Sequence, residues 1–158
     1  MKVKAAGEVI QIYDFNPVEA LKIARKLERE GIRFYGNLLQ KAEDPKVKEA
    51  LSYLRGQEED HLKIFEKLLE RQDPEAVDED EDDVFECVDD GVFLLPQEKD
   101  LAADFDSALE LGVTIEKRSL AFYLELVKHT ESEDGKNTIN KIIEEEKKHW
   151  VELKKFLQ

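Results

Sequence analysis

Apolar residues recur every three or four positions along four long stretches of this 158-residue chain. Such spacing places them on one face of an α-helix, so the pattern predicts four amphipathic helices. Asn16 and Pro17 supply the N-cap and first-turn signals of the first helix. Short breaks, at Asp44–Pro45 and at Ser132–Gly135, group the helices into two antiparallel hairpins. The predicted fold is an all-α four-helix bundle, with helices over about 16–43, 45–71, 104–131 and 134–157.

A long connection, residues 72–103, separates the two predicted hairpins. Most loops are much shorter, and a crossover along the length of the bundle would explain this one. Between Asp73 and Asp90 it contains eleven acidic residues and no lysine or arginine. We expect this acidic crossover to be a solvated, mobile loop, with attraction of cations as the alternative. The whole chain, residues 1–158, is expected to form a single domain, since its length suits one hydrophobic core.

The net charge of −14, from 24 basic and 38 acidic residues, argues against nucleic acid and anionic membrane surfaces as partners. No apolar run is long enough for a transmembrane helix. The single cysteine, Cys87, excludes an internal disulfide and a cysteine-rich metal site within this sequence. The N-terminal segment lacks the apolar core of a signal peptide. From these features we expect a cytoplasmic protein.

The two predicted hairpins repeat each other at a shift of 88 residues. Residues 18–70 align with 106–158 without a gap, and 12 of the 53 aligned pairs are identical. Self-similarity of this kind indicates two related supersecondary units. The identical pairs include apolar core candidates and also three polar pairs, which are Glu28/Glu116, Glu58/Glu146 and His61/His149.

These six polar residues fall on the inward-facing, otherwise apolar seams of the four helices. In the first helix, for example, Glu28 follows Leu21 and Ala24 on the same seam. All six lie near mid-helix, so packing of the hairpins would bring them into one layer of the core. Four buried carboxylates cannot all remain ionised without compensation, because burial and mutual repulsion both oppose their charges.

Two divalent cations would neutralise the four carboxylates, and the two imidazoles would complete the ligand set. Glu-x-x-His, which occurs at Glu58–His61 and at Glu146–His149, places both side chains on one helix face. One Glu from each of two helices, with Glu-x-x-His from each of the other two, is typical of di-iron and di-manganese carboxylate bundles. Oxygen and imidazole ligands favour iron or manganese. The sequence therefore predicts a two-metal site, and the alternative is a metal-free bundle with a buried polar network.

Two pairs of segments resemble the two halves of the ferritin-like fold, closest to its rubrerythrin branch. They are "LEREGIRFYGNLL" with "EEDHLKIF", and "IEKRSLAFYLELV" with "EKKHWVEL". The resemblance implies a ferritin-like bundle that binds two irons, with manganese as an alternative. It also implies that Glu58 and Glu146 bridge the two ions. The terminal ligands would be Glu28 and His61 on one ion, and Glu116 and His149 on the other.

Two tyrosines extend the resemblance. Tyr35 and Tyr123 lie two turns beyond the first-helix and third-helix glutamates. They resemble family tyrosines that hydrogen-bond to the ligating carboxylates, and ordinary aromatic core packing is the alternative. Together with Glu58 and Glu146, they are the candidate catalytic residues.

Two features depart from the rubrerythrin pattern. Rubrerythrins usually carry a rubredoxin domain with two Cys-x-x-Cys pairs, whereas Cys87 is the only cysteine here. Reducing electrons are therefore expected from a separate, rubredoxin-type protein. Rubrerythrins also tend to have an extra Glu one turn after the third-helix ligand, and here that position is Ser119. The resulting ligand set is closer to that of bacterioferritin, which leaves ferroxidase chemistry open.

The leading functional hypothesis is a di-iron oxidoreductase that reacts with O₂ or hydrogen peroxide and serves in oxidative-stress defence. The alternative is a ferroxidase or iron-buffering protein. A third hypothesis is a metal-free helical binding module. The apolar stretch "VFLLP", residues 92–96, offers a surface for a partner, and the family resemblance adds the expectation of a homodimer.

Overall fold

The computed structural model, which describes residues 1–157, contains the four long helices that the sequence predicts. Their bounds lie within two residues of the expected ones, and the all-α, two-hairpin bundle is confirmed. Among the helices of the described chain, none combines the length and the apolar character that a membrane-spanning segment requires. The bundle helices are α1 (Pro17–Lys41), α2 (Pro45–Gln72), α4 (Phe105–His129) and α5 (Glu133–Phe156), and a short helix, α3 (Glu98–Leu101), precedes α4.

Side-chain caps fix where the long helices begin. The Asn16 side chain accepts a hydrogen bond from the backbone N–H of Glu19, and Pro17 occupies the first helical position. Each of the other three helices has an aspartate or serine cap of the same kind, at Asp44, Asp104 and Ser132. These caps satisfy backbone N–H groups that would otherwise lack partners. The helix starts are therefore set locally by the sequence.

A two-stranded antiparallel hairpin precedes the bundle, where helical periodicity predicts no element. Its strands are β1 (Lys2–Ala6) and β2 (Val9–Tyr13), and Gly7 in the turn has a φ of +65°. Val3, Ile10 and Ile12 are buried against the helices. Val3 also exchanges backbone hydrogen bonds with residues 87 and 89. The hairpin thus holds one end of the crossover in place.

The crossover is more ordered than expected. It includes a 3₁₀ helix (Pro74–Asp78) and α3, and Gln72 belongs to α2. Within the acidic run, Glu81 forms two ion pairs. Its Oε1 lies 2.5 Å from Nε of Arg25 and 2.6 Å from Nη1 of Arg29. Arg25 is 1% exposed and also donates to the carbonyl oxygen of Val77 at 2.7 Å. The expectation of a fully solvated loop is therefore wrong at this point, because α1 supplies the buried Arg25 and the more exposed Arg29, which anchor the acidic segment.

The directions of the helices explain why the crossover must be long. Tyr35 of α1 lies beside Glu116 of α4, while Glu28, earlier in α1, lies beside Tyr123, later in α4. Helices α1 and α4 are therefore antiparallel. Since α1 and α2 are antiparallel within their hairpin, α2 and α4 run in the same direction. The connection between them has to return along the whole length of the bundle.

The apolar core lies in two clusters at opposite ends of the bundle, separated by a polar layer. One cluster includes Leu27 and Phe65, and the other includes Phe34 and Leu54. In α1, Glu28 lies between Leu27 and Phe34. In α2, the polar stretch 57–61 lies between Leu54 and Phe65. The apolar clusters on both sides keep water away from the layer between them.

Close packing between α1 and α4 generates the first prediction. A Cβ atom on Gly112 would lie 2.2 Å from Cζ of Phe34, a ring that is 2% exposed. The Gly112→Ala variant should therefore lose about 1–3 kcal/mol of unfolding free energy through overpacking. Chemical denaturation of the purified variant measures this loss.

The matched control is Gly56→Ala in α2, where an added Cβ meets no atom within 4 Å. Alanine is the better helix former, so this change should raise stability by about 0.5–1 kcal/mol. Equal effects of the two substitutions would contradict the packing described here.

Candidate metal centre

The six polar residues predicted from the seams meet in one buried layer. None is more than 4% exposed, and the two histidines are fully buried. Each of the four long helices contributes at least one of them near its middle, so the layer is held by the rigid part of the fold. A small cavity between the carboxylates is also lined by Leu27, Ile115 and Ser119. The members of the layer are Glu28, Glu58, His61, Glu116, Glu146 and His149.

The layer divides into two groups of four potential metal ligands. Within each group, one donor atom from every residue lies within 4.8 Å of the others. Glu58 and Glu146 belong to both groups. The first group adds Glu28 and His61, and the second adds Glu116 and His149. The structure thus brings together all the residues that the sequence predicted as ligands, while their binding of metal stays a prediction.

Contacts across the layer are reciprocal between the two hairpins. Nδ1 of His61 lies 2.9 Å from Oε1 of Glu146, and Nδ1 of His149 lies 3.0 Å from Oε1 of Glu58. The second contact joins the repeat partners of the first, because His149 corresponds to His61 and Glu58 corresponds to Glu146. The duplicated sequence has therefore produced a site with approximate two-fold symmetry.

The two candidate catalytic tyrosines follow the same symmetry. The hydroxyl of Tyr35 donates to Glu116 at 2.6 Å, and that of Tyr123 donates to Glu28 at 2.7 Å. Both rings are fully buried. Burial and the neighbouring carboxylates hold both tyrosine pKa values well above the usual range, so the hydroxyls stay protonated as donors. Their contacts go beyond simple core packing, because each orients one carboxylate.

The two carboxylates held by tyrosines resist ionisation. The pKa values of Glu28 and Glu116 are raised well above normal, first by burial and then by the charges of Glu58 and Glu146. A carboxylate with a raised pKa holds its proton more readily in the folded chain than in the unfolded one. Without a cation, the layer therefore retains protons on these two groups.

The shared carboxylates and the histidines instead favour their charged forms, since the pKa values of the carboxylates are lowered and those of the histidines are raised. Burial raises the pKa of Glu58, but its hydrogen bonds with Glu28, His149 and His61 outweigh burial and lower the pKa. Burial lowers the pKa of His149, but its hydrogen bonds with Glu146 and Glu58 outweigh burial and raise it to about 9. The pKa of His61 is raised for the same reason. In the metal-free chain, protonated imidazoles thus take the place of cations.

The residues present fit a metal centre. The second carboxylate oxygens of Glu28 and Glu146 are buried and have no hydrogen-bond partner. Buried carboxylate oxygens normally have a partner, so these two point to a missing ligand. Four carboxylates and two imidazoles offer the hard oxygen and nitrogen donors that iron and manganese accept, and two divalent ions balance four negative charges.

Two residues that contact the histidines were not identified from the sequence. Nε2 of His61 lies 2.5 Å from Oε2 of Glu145, and Nε2 of His149 contacts Oε1 of Gln57. Gln57 and Glu145 occupy equivalent positions in the repeat, directly before the two shared glutamates. A search for identical pairs passes over them because they differ. Their position beside Glu-x-x-His was the signal that could have revealed them.

The tyrosine contacts predict a cost for removing either hydroxyl. Tyr35→Phe and Tyr123→Phe should each destabilise the metal-free protein by about 1–3 kcal/mol, since a buried carboxylate oxygen loses its donor. Thermal or urea unfolding measures the effect. The matched control is Tyr13→Phe, because Tyr13 is 48% exposed and should tolerate the change. If the buried variants were as stable as the control, the hydrogen bonds would not support the layer.

The shifted pKa values predict that the metal-free chain loses stability as the pH rises from about 6.5 to about 9. The folded chain keeps the proton of His149 up to a pKa of about 9, whereas the unfolded chain releases it near 6.5. The stabilisation is therefore fully present below 6.5 and is lost as the pH passes 9, and it amounts to about 3 kcal/mol. His61, Glu28 and Glu116 act in the same direction. Unfolding of chelator-treated protein across this range measures the slope.

Bound metal should reverse this dependence, because ligands bind only after losing their protons. The increase in Tm on adding Co²⁺ should therefore be larger at pH 8 than at pH 6. The metal-free slope should also become shallower in a His149→Gln variant. Identical pH profiles with and without metal would contradict this account of the layer.

Comparison with known proteins agrees with this architecture. The family model described as Rubrerythrin matches residues 19–157, which include both hairpins and the whole polar layer. Neither the curated proteins nor the solved structures give a match to this chain. The family match covers far more than half of the sequence, and the ferritin-like, rubrerythrin-like assignment made from the residues is confirmed. The chain belongs to the rubrerythrin family.

Proposed function

We propose that the protein is a di-iron oxidoreductase that reduces hydrogen peroxide or O₂ at the buried layer. The observation that carries the proposal is the pair of overlapping ligand groups that share Glu58 and Glu146. Two sets of donors that share carboxylates suit two adjacent metal ions in one centre better than two ions at independent sites. Membership in the rubrerythrin family supports iron as the metal.

Each residue of the layer would have a role that follows from its position. Glu58 and Glu146 would bridge the two ions, and the remaining four residues would complete the two ligand sets, Glu28 with His61 and Glu116 with His149. When bound, the two irons would supply the electrons for reduction of the oxidant. The apolar clusters above and below the layer would exclude bulk water. Tyr35 and Tyr123 would hold two of the carboxylates in a fixed orientation.

The cycle also needs a source of electrons. Cys87 is the only cysteine among these 158 residues, so they cannot form the four-cysteine iron site of a rubredoxin. We therefore propose a separate electron-donor protein, of the rubredoxin type, as partner. A homodimer, suggested by the family resemblance, belongs to the same proposal.

A ferroxidase or iron-buffering role is the second candidate. The observation that favours it is the symmetry of the layer, in which each ligand group contains three carboxylates and one histidine. Ser119 occupies the position where the rubrerythrin pattern tends to place an extra glutamate, and it lines the cavity between the carboxylates. Both candidates use the same ligands, so they differ in the preferred oxidant and not in the site.

Metal content tests the proposal. The metal-free protein, titrated anaerobically with ferrous ion, should take up about two ions per chain. Loss of two of the four negative charges in Glu58→Gln/Glu146→Gln should reduce the uptake to well below one. The matched control is Glu59→Gln/Glu144→Gln, because these neighbours are 50% and 66% exposed. No uptake by the native chain, or equal uptake by both double variants, would refute a metal centre at this layer.

The rate of oxidation then separates the two candidates. The ferrous-loaded protein, mixed with hydrogen peroxide or with O₂ in a stopped-flow spectrometer, should oxidise much faster than free ferrous ion. A preference for peroxide supports the reductase, and a preference for O₂ with release of ferric ion supports the ferroxidase. Rates equal to those of free ferrous ion would rule out both activities.

A further inference from the structure

The two histidines of the layer differ in their outer hydrogen-bond partners. Nε2 of His61 lies 2.5 Å from a carboxylate oxygen of Glu145. Nε2 of His149 contacts the amide oxygen of Gln57. The two contacts are related by the repeat, but one partner carries a full negative charge and the other is neutral.

These contacts fix which nitrogen of each histidine faces the layer. Carboxylate and amide oxygens only accept hydrogen bonds, so Nε2 of each imidazole must carry a proton. A metal ion would then bind Nδ1, which in the metal-free chain is protonated as well and donates to a shared carboxylate. In His61 that atom lies 2.9 Å from Glu146, and in His149 it lies 3.0 Å from Glu58.

The charge of Glu145 acts directly on His61. Its side chain is 26% exposed, and among residues 1–157 it forms an ion pair with His61 and with no lysine or arginine. Across the other contacts of the layer the two halves match in charge, since tyrosines hold both outer glutamates and histidines contact both shared ones. Within the described chain, the two halves thus differ in charge among the residues that directly contact the predicted ligands, since Glu145 contacts His61 and Gln57 contacts His149.

A carboxylate that accepts the outer N–H of a ligating histidine makes the imidazole a stronger donor and offsets the positive charge of the metal. A neutral amide orients the ring but supplies no charge. Loss of such an outer partner typically weakens metal binding by about 10–100-fold. The exchange of a carboxylate for an amide between two otherwise matched positions should therefore make their affinities unequal.

We propose that Glu145 and Gln57 are positioning residues that make the two metal positions inequivalent. The position that contains Glu28 and His61 fills first, and the one that contains Glu116 and His149 fills second. This inference rests on the proposed di-metal function and adds an order of binding to it. The order gives the centre one firmly held ion and one that is more readily exchanged.

The test is a reciprocal exchange of the two outer residues. Gln57→Glu/Glu145→Gln keeps the composition and net charge of the protein and moves the carboxylate to the other histidine. Metal-free native and exchanged proteins, labelled at histidine, are titrated with Co²⁺ and followed by NMR. Paramagnetic shifts identify the histidine that receives the first ion, and chelator competition gives the two affinities.

In the native protein, His61 should respond first, with affinities that differ by about 10-fold or more. In the exchanged protein, His149 should respond first. The single variants serve as matched controls, since Gln57→Glu should tighten the weaker position and Glu145→Gln should weaken the stronger one. Thermal unfolding of the metal-free forms verifies that each variant is folded.

The outcomes distinguish failure of this inference from failure of the proposed function. Two ions that bind with equal affinity, or an order that the exchange leaves unchanged, would overturn the role of Glu145 and Gln57 and leave the metal centre intact. No Co²⁺ and no ferrous binding by the native chain would overturn the proposed function itself.

Discussion

The cost of placing four carboxylates in one dry layer governs the rest of this structure. Burial and mutual repulsion raise the pKa values of Glu28 and Glu116. Burial also opposes ionisation of Glu58 and Glu146, but hydrogen bonds with neighbouring glutamates and histidines outweigh it and lower their pKa values. The metal-free chain can balance this charge only with protons on its carboxylates and imidazoles. Such an arrangement contributes less to stability than a well-packed apolar layer would. The presence of these polar residues in the middle of every bundle helix is understandable if two cations bind there and balance the charge.

The bundle supplies what the layer requires, which is rigid support without access for water. Capped helices of about 25 residues carry the ligands near their midpoints, between two apolar clusters. Because α2 and α4 are parallel, the two hairpins meet with their glutamates and histidines at matching heights. The long crossover is the topological consequence of this arrangement, and Arg25 fastens it to α1 through Glu81.

Much of this could be predicted from the sequence, because helical periodicity and the 88-residue repeat are both local or directly comparable signals. The layer followed from them, since six residues broke the apolar seams at matching positions. The N-terminal hairpin could not be predicted in this way, because two five-residue strands give too short a pattern. Val3 is buried in the core of the bundle, and its backbone pairs with residues 87 and 89 of the distant crossover. The pairing of Arg25 with Glu81 likewise depends on the tertiary fold.

The repeat also shows why differences between the two halves carry information. The residue pairs that are identical at a shift of 88 include the predicted ligands and the core residues that pack around them, which both halves require. Arg25 corresponds to Val113, and Arg25 binds the crossover, so the two halves also differ in how they hold that segment. Glu145 corresponds to Gln57, and both reach the same atom of a histidine. In a duplicated site with the same ligands but different outer partners, two bound ions would lie in unequal surroundings. Unequal surroundings are the physical condition for two ions of one centre to differ in affinity.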